Sequence, residues 1–410
     1  MEARPDLLDA HSPKGMEVFQ ITGEDCPSSH VYMEAQVFTP DSRRLILHRS
    51  AHAHGSSQHD PDHRYLICDT ASGELTPITD EVGATAPSVS PDGRTLYYFV
   101  NETEPGGGRL TLKGVGLDGT GRATLLVVDS PLPGTAFRPS RIYPLSTISS
   151  DGTRLALSAF LGDGQTPDAP FGLMVFDIAR ATVSLIIHGQ TWCNMHPQYC
   201  RSTDPGAARD ILIQDNHGNQ CDPRGGIRTL VGPEGCDIHV IRDDGTDFRN
   251  MPWGRDGNEH PQGHQCWRGR SARAITSTGT RRPPENQLIE SPPAPFAGHI
   301  GIRTPGGVRN HLTRTFPKPR FCHFGTDIAG RRIVSDAAAG EGWQLFLADL
   351  PRVEGEPLEK WRYLLDPRAA RKKDTHPHPF LSPDGAMAFF NSDESGLLQA
   401  YMIRGLGTLR

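Results

Sequence analysis

Short runs of alternating apolar and polar residues, each entered through a tight polar turn, recur along the whole chain. The pattern is clearest at residues 382–385 (Ser-Pro-Asp-Gly), before apolar residues 387–390, and at residues 90–93, before residues 96–99. An Asp-Gly turn between two such runs is the strongest short signal for a β-hairpin. Related turns lie at residues 39–42, 149–152, 201–204, 267–270 and 326–330. The sequence therefore predicts seven hairpins.

A second hairpin follows the first in most repeats, as at residues 65–79 and 173–187. Seven repeats of four strands, with a period of roughly 50–60 residues, predict an all-β fold, the seven-bladed β-propeller. The last repeat ends at residues 400–403 and lacks a fourth strand, while residues 16–22 form a spare one. We expect this N-terminal strand to complete the last blade. Residues 1–410 are then expected to form a single domain.

Composition restricts the class of protein further. No apolar run approaches the ~20 residues of a membrane-spanning helix, and the first residues have no apolar signal core, so a cytoplasmic location is expected. The eight cysteines include no Cys-x-x-Cys pair and are expected to be mostly reduced. The net charge of −6 gives no reason to expect nucleic acid or an anionic membrane as a partner. No feature of the sequence indicates an oligomeric state.

Histidines recur at the start of the predicted innermost strands, which line the central channel of a propeller. Counted back from the turns, five of them lie at even offsets, which predicts that they share one face: His196, His264, His323, His376 and His378. The matching positions of blades two and three are apolar. The histidines are therefore predicted to cluster at one side of the channel mouth. The alternative is a set of polar residues that are packed or bonded to water.

The segment from His376 to His378 suggests part of a metal site, because residues two apart in a strand project from the same face. Its alternative interpretation is two polar residues at a strand entrance.

Cys322 is expected to point away from His323. Residues 51–63 contain four histidines that resemble metal ligands (His52, His54, His59 and His63), but a flexible solvated loop is expected there because no rigid strand presents them. Residues 281–295 are expected to form a proline-rich loop inside blade five.

Four segments in the same order along the chain resemble the oligogalacturonate lyases, seven-bladed propeller polysaccharide lyases of pectin catabolism. They are residues 196–199, 263–267, 322–323 and 375–379. The resemblance runs nearly end to end. It implies a carbohydrate-active enzyme that cleaves uronate oligosaccharides by β-elimination. It further implies that His264 is the catalytic base and that His323, His376 and His378 bind a divalent metal ion, for which manganese is the family's usual ion.

Two positions depart from the family pattern. Lys373 stands where the family has a glutamine ligand of the metal, and Asp237 stands where it has an arginine that neutralises the substrate. The candidates for substrate binding are His196 and one of three nearby arginines: Arg201, Arg224 and Arg228. Two alternatives stay open. One is a TolB-like propeller that serves as a non-enzymatic binding platform, and the other is a lyase for a different uronate, such as glucuronate.

Overall fold

The structure is a computed structural model that describes the chain except residues 24, 53, 253–258, 281–285, 295–308, 314–319, 354, 359 and 410 and the side chain of Arg320. Its described residues form seven antiparallel sheets of four or five strands and two small hairpins. Around a central channel, the innermost strands contact one another from blade two to blade four and from blade five to blade seven. The predicted all-β, seven-bladed propeller is confirmed.

Strands are numbered along the chain. The N-terminal segment contains β1 (Glu2–Ala3), a 3-10 helix (Pro5–Leu7) and β2 (Glu17–Gln20). Blade one contains β3 (Ser28–His30), β4 (Arg44–Arg49), the small hairpin of β5 (Ala51–His52) and β6 (Gly55–Ser56), β7 (Tyr65–Asp69) and β8 (Leu75–Pro77). Blade two contains β9 (Ala84–Val89), β10 (Thr95–Glu104), β11 (Gly107–Gly116) and β12 (Ala123–Val128). Blade three contains β13 (Arg141–Ile148), β14 (Arg154–Phe160), β15 (Phe171–Asp177) and β16 (Thr182–Gly189).

Blade four contains β17 (Gln198–Tyr199), β18 (Asp210–Asn216), the small hairpin of β19 (Gln220–Cys221) and β20 (Ile227–Thr229), β21 (Cys236–Arg242) and β22 (Arg249–Asn250). Blade five contains β23 (Glu259–Trp267), β24 (Ala274–Thr280), β25 (Asn286–Ser291) and β26 (Asn310–His311). Blade six contains β27 (Arg320–Thr326), β28 (Arg332–Ala339), β29 (Gly342–Asp349) and β30 (Trp361–Leu365). Blade seven follows a 3-10 helix (Lys373–Thr375) and contains β31 (Phe380–Leu381), β32 (Ala388–Ser392) and β33 (Gln399–Arg404), after which comes a last 3-10 helix (Leu406–Thr408).

The recurring turn between the first two strands of a blade is held by its own side chains. The Ser382 hydroxyl donates to Oδ1 of Asp384 at 2.6 Å, and Ser90 does the same to Asp92. Asp384 Oδ1 also accepts the backbone N–H of Ala386 at 3.0 Å. Because these hydrogen bonds lie within one turn, a short sequence pattern is enough to predict the turn.

The N-terminal strand closes the ring as predicted. Strand β2 pairs antiparallel with β33, with Val18 opposite Ile403, and Val18 is buried in the core of the last blade. Strand β1 adds a fifth, outer strand that the pattern did not predict, because two residues give no periodicity. The guanidinium of Arg4 bonds to Glu394, which ties this segment to blade seven.

Two further expectations are decided by the described residues. Asn286–Ser291 form strand β25, so the expected proline-rich loop at residues 281–295 is wrong there, while residues 281–285 and Pro295 lie outside the described residues. All eight cysteines are free thiols, in agreement with the sequence.

Among the described residues, none of the helices is long and apolar enough to span a membrane.

The innermost strands are irregular where they approach the channel mouth. Their pairing shifts register in blades two, three, five and six. Ala86 in blade two has a positive φ of 51°, and His196 and His378, which lead into blades four and seven, have positive φ of 48° and 44°. A bulge redirects side chains and breaks strict alternation. The prediction that all five histidines lie on regular strands is therefore wrong, since His196, His376 and His378 precede β17 and β31.

Candidate metal and active site

Four of the five predicted histidines come together at the channel mouth. The ring centroid of His323 lies 4.5 Å from that of His264, 4.2 Å from that of His378 and 5.4 Å from that of His376. The rings of His376 and His378 lie 5.6 Å apart. These side chains come together because the bulges and the left-handed backbone of His378 redirect them.

His323 is oriented by a buried carboxylate on the neighbouring strand. Its Nδ1 donates to Oδ2 of Asp336 at 2.8 Å, and its backbone N–H donates to Oδ1 at 2.8 Å. Because Nδ1 carries the proton, the lone pair of Nε2 is free to face the other histidines. Burial raises the pKa of Asp336 to about 7, against the opposing effect of its hydrogen bonds. A carboxylate behind a histidine is the usual arrangement around metal-binding imidazoles.

Cys322 lies on the histidine side of its strand, so the expectation that it points away from His323 is wrong. Its Sγ is 3.9 Å from Nδ1 of His264 and 3.8 Å from Nε2 of His323. The register of β27 shifts between Phe321 and Phe324, so Cys322 and His323 do not alternate faces. One donor atom of His264, Cys322 and His323 lies within 4.8 Å of each of the other two.

His54 also joins the cluster, so the expectation of a solvated loop is wrong at this residue. Its ring centroid lies 4.7 Å from that of His378 and 5.5 Å from that of His376. One ring nitrogen of each of these three residues lies within 4.8 Å of the other two. His63, farther along the same segment, is buried, and its ring bonds the carbonyls of Arg49 and Ala84. Periodicity gave no signal for His54, because the contact depends on tertiary structure.

The donor set fits a divalent metal ion. Among the described residues, Nε2 of His54, Nδ1 of His376 and both ring nitrogens of His378 are buried and have no hydrogen-bond partner. A buried polar atom without a partner is costly, and a metal would satisfy it. Burial lowers the pKa of His54 to about 3 and that of His378 well below its ordinary value. Neutral imidazoles are metal ligands.

His264 lies beside His323 at the edge of this donor set. Burial, followed by the neighbouring histidines His323 and His196, holds the pKa of His264 well below its ordinary value. Its ring is therefore neutral at neutral pH and has a lone pair that can accept a proton.

His196 occupies a separate, fully bonded position. Its Nδ1 donates to Oε2 of Glu34 at 2.8 Å, and its Nε2 accepts from the amide of Asn194 at 2.9 Å. Tyr32 lies between it and the cluster, with ring centroids 5.5 Å from His196 and 4.7 Å from His378. The sequence had not singled out Tyr32, Glu34 or Asp336. Only Asp336 left a signal, as an acidic residue between Ser335 and three alanines.

The three arginines considered for substrate binding lie elsewhere. Arg201 lines a channel cavity of about 180 Å³ together with turn residues such as Pro91 and Pro383, at the opposite end of the innermost strands. Arg224 and Arg228 are exposed at the small hairpin of blade four. No hydrogen bond or ion pair joins these three side chains to the histidines within the described part of the chain. Their role toward a substrate stays a prediction.

Lys373 and Asp237, the two positions that the sequence comparison singled out, have different environments. Lys373 is exposed on the 3-10 helix that precedes His376. Asp237 is buried on β21, where its Oδ2 accepts from Nε2 of His217 at 2.8 Å. Neither side chain is a member of the two groups of metal donors.

Comparisons with known proteins support the fold. No family model matches the chain, and no curated protein matches it significantly. Among solved structures, an oligogalacturonate lyase in complex with manganese aligns with a TM-score of 0.71 at 18% identity, over 98% of this chain and 96% of the other. The oligogalacturonate lyase of Vibrio parahaemolyticus gives 0.71 at 16% identity, over 98% and 97%. These structures share the propeller architecture with this chain along nearly its whole length.

Proposed function

We propose that this protein is a lyase that cleaves short uronate oligosaccharides by metal-assisted β-elimination and releases an unsaturated uronate. The observation that carries the proposal is the convergence of His264, His323, His376 and His378 at one channel mouth, with Asp336 behind His323. A propeller that only binds partners has no need of several neutral imidazoles without partners. The similarity in fold to oligogalacturonate lyases supports the same proposal.

His323, His376 and His378 would hold a divalent ion, with manganese proposed because the similar lyase structure contains it. When bound, the ion supplies a Lewis acid that stabilises negative charge developing on the uronate carboxylate. Asp336 fixes the His323 ring with its Nε2 directed toward the site. Cys322 lies close enough to His323 to influence the choice of ion, since thiolates favour softer metals.

His264 would act as the general base. It removes the proton α to the carboxylate, and the electron pair of that C–H bond forms a carbon–carbon double bond. The glycosidic C–O bond at the β carbon breaks, its electron pair leaves with the oxygen, and that oxygen takes up a proton from protonated His264 or from solvent. No water is added. His196, which Glu34 holds in place, and an arginine among Arg201, Arg224 and Arg228 are the proposed substrate contacts.

The proposal is tested with a panel of oligogalacturonates and glucuronate-containing oligosaccharides. The ultraviolet absorbance of the conjugated double bond is followed with added manganese and with excess chelator. Metal-dependent absorbance with a galacturonate substrate supports the proposal, and activity on glucuronate alone supports the alternative substrate. No absorbance change with any uronate at any metal concentration contradicts a lyase function.

A further inference from the structure

The small hairpin of β5 and β6 extends from blade one over the channel mouth. Its Ala51 N–H donates to the carbonyl of Pro27 at 3.0 Å, and the N–H of Ser57 donates to the carbonyl of Ser50 at 2.8 Å. At Gly55 a β carbon would lie 3.3 Å from Cγ of Pro144 in blade three. The hairpin is therefore packed against a second blade as well as held by its own.

This packing places His54 above the His376–His378 pair. The His54 ring contacts both of these rings and lies 6.0 Å from the Tyr32 ring. Its Nε2 is buried, and within the described residues it has no hydrogen-bond partner. An imidazole that only packed against aromatic rings would gain more by turning this nitrogen toward water.

The three rings already satisfy the spacing of a metal site. One nitrogen from each of His54, His376 and His378 lies within 4.8 Å of the other two, whereas His323 falls in the neighbouring group with His264 and Cys322. Lys373, at the position of the family's glutamine ligand, is exposed. The His376–His378 pair therefore has a nearby third donor that comes from blade one and not from blade seven.

We propose that His54 is a protein ligand of the metal ion and replaces the ligand that is lost at Lys373. This inference rests on the proposed metal site of the lyase. It makes the β5–β6 hairpin part of the site, so that metal binding couples the first blade to the last two. Within blade one, His59 is exposed on the same segment and offers a matched control.

The test measures manganese affinity directly, by isothermal titration calorimetry of the full chain after chelation and dialysis. The variants are His54→Ala and His54→Phe, with His59→Ala as the control, and circular dichroism checks the fold of each. His54→Phe keeps a ring against Tyr32 and His378 but has no donor nitrogen. We expect both His54 variants to lose affinity by at least about ten-fold, the smallest usual effect of perturbing even an outer metal contact. The His59 variant should match the wild-type protein.

Affinity that is unchanged in the folded His54 variants overturns the inference and identifies His54 as a packing residue of the mouth. The same outcome leaves the proposed function intact if the wild-type protein is a metal-dependent uronate lyase. If manganese affinity depends on His54 but the protein cleaves no uronate, the result supports His54 as a metal ligand and contradicts the proposed lyase function. A wild-type protein that binds no manganese and no other divalent ion overturns both.

Discussion

The Nδ1 of His323 donates to Oδ2 of Asp336 at 2.8 Å across two adjacent strands of blade six. Both side chains are buried, at 3% and 0% exposure of the side chain. Because the carboxylate fixes which nitrogen carries the proton, this contact determines the direction in which the His323 lone pair faces. The pair therefore links the core of blade six to the candidate metal site.

Asp336→Asn keeps the size of the side chain but removes its charge. We expect manganese affinity to fall by roughly 10–100-fold, because the His323 ring loses its orienting acceptor. Titration calorimetry measures the effect, with the exposed Asp80→Asn as the control and His376→Ala as a variant that loses the ion. An affinity within about two-fold of wild type would contradict the orienting role of Asp336.

The His264→Ala variant tests whether His264 is the catalytic base or a metal ligand. If His264 accepts the proton, the variant should keep the ion and bind uronate while kcat falls by roughly 10²–10⁴. The measurement combines metal analysis with steady-state kinetics. Loss of the ion together with activity would instead make His264 a ligand. Retention of both would remove it from the reaction.

Closure of the ring depends on the N-terminal strand. Deleting residues 1–22 removes β2 and leaves β33 with an unpaired edge, which favours aggregation. We expect a lower Tm and a concentration-dependent loss of soluble protein. Deleting residues 1–3 removes only the exposed β1 and serves as the control. A soluble truncation at residue 22 with an unchanged Tm would contradict this role of β2.

Glu81 attaches the connection between blades one and two to blade two. Although burial opposes ionisation, hydrogen bonds from Lys113, Tyr98 and Arg122 lower its pKa from 4.5 to about 2. A carboxyl with a depressed pKa stabilises the fold above its ordinary value, and this contribution is lost as the pH falls through about 2. Allowing for solvent screening, Glu81→Gln should lower the free energy of unfolding by about 1 kcal/mol at neutral pH.

Urea denaturation at a series of pH values measures this difference. It should shrink as the medium is made more acidic than the ordinary carboxyl pKa. The exposed Glu74→Gln is the control and should show no such trend. A Glu81→Gln difference that stays constant across the acidic range would mean that the charge of Glu81 is not the cause.

The blades were predictable because each depends on local signals. The hydroxyl-to-carboxylate bond within residues 382–385 and its counterparts operate within one turn, and the strand at residues 16–22 alternates clearly. The extent of the single domain stays a prediction. The site was predictable only in part. Four histidines were found by counting from the turns, but Cys322 was assigned to the wrong face because a bulge breaks the alternation of β27.

His54 was missed for a different reason. Its position depends on packing between the β5–β6 hairpin and Pro144, which lie in different blades. No local sequence pattern predicts that the β5–β6 hairpin contacts Pro144. Contacts of this kind arise from the closed ring and have no counterpart in the spacing of residues along the chain.

Mass spectrometry of the reaction products is the most direct test of elimination. With an oligogalacturonate substrate and manganese, the product masses should sum to that of the substrate, and one product should carry an unsaturated uronate. Products that are all saturated, with masses that sum to the substrate plus one water, would show hydrolysis and contradict β-elimination at the His264–His323 site.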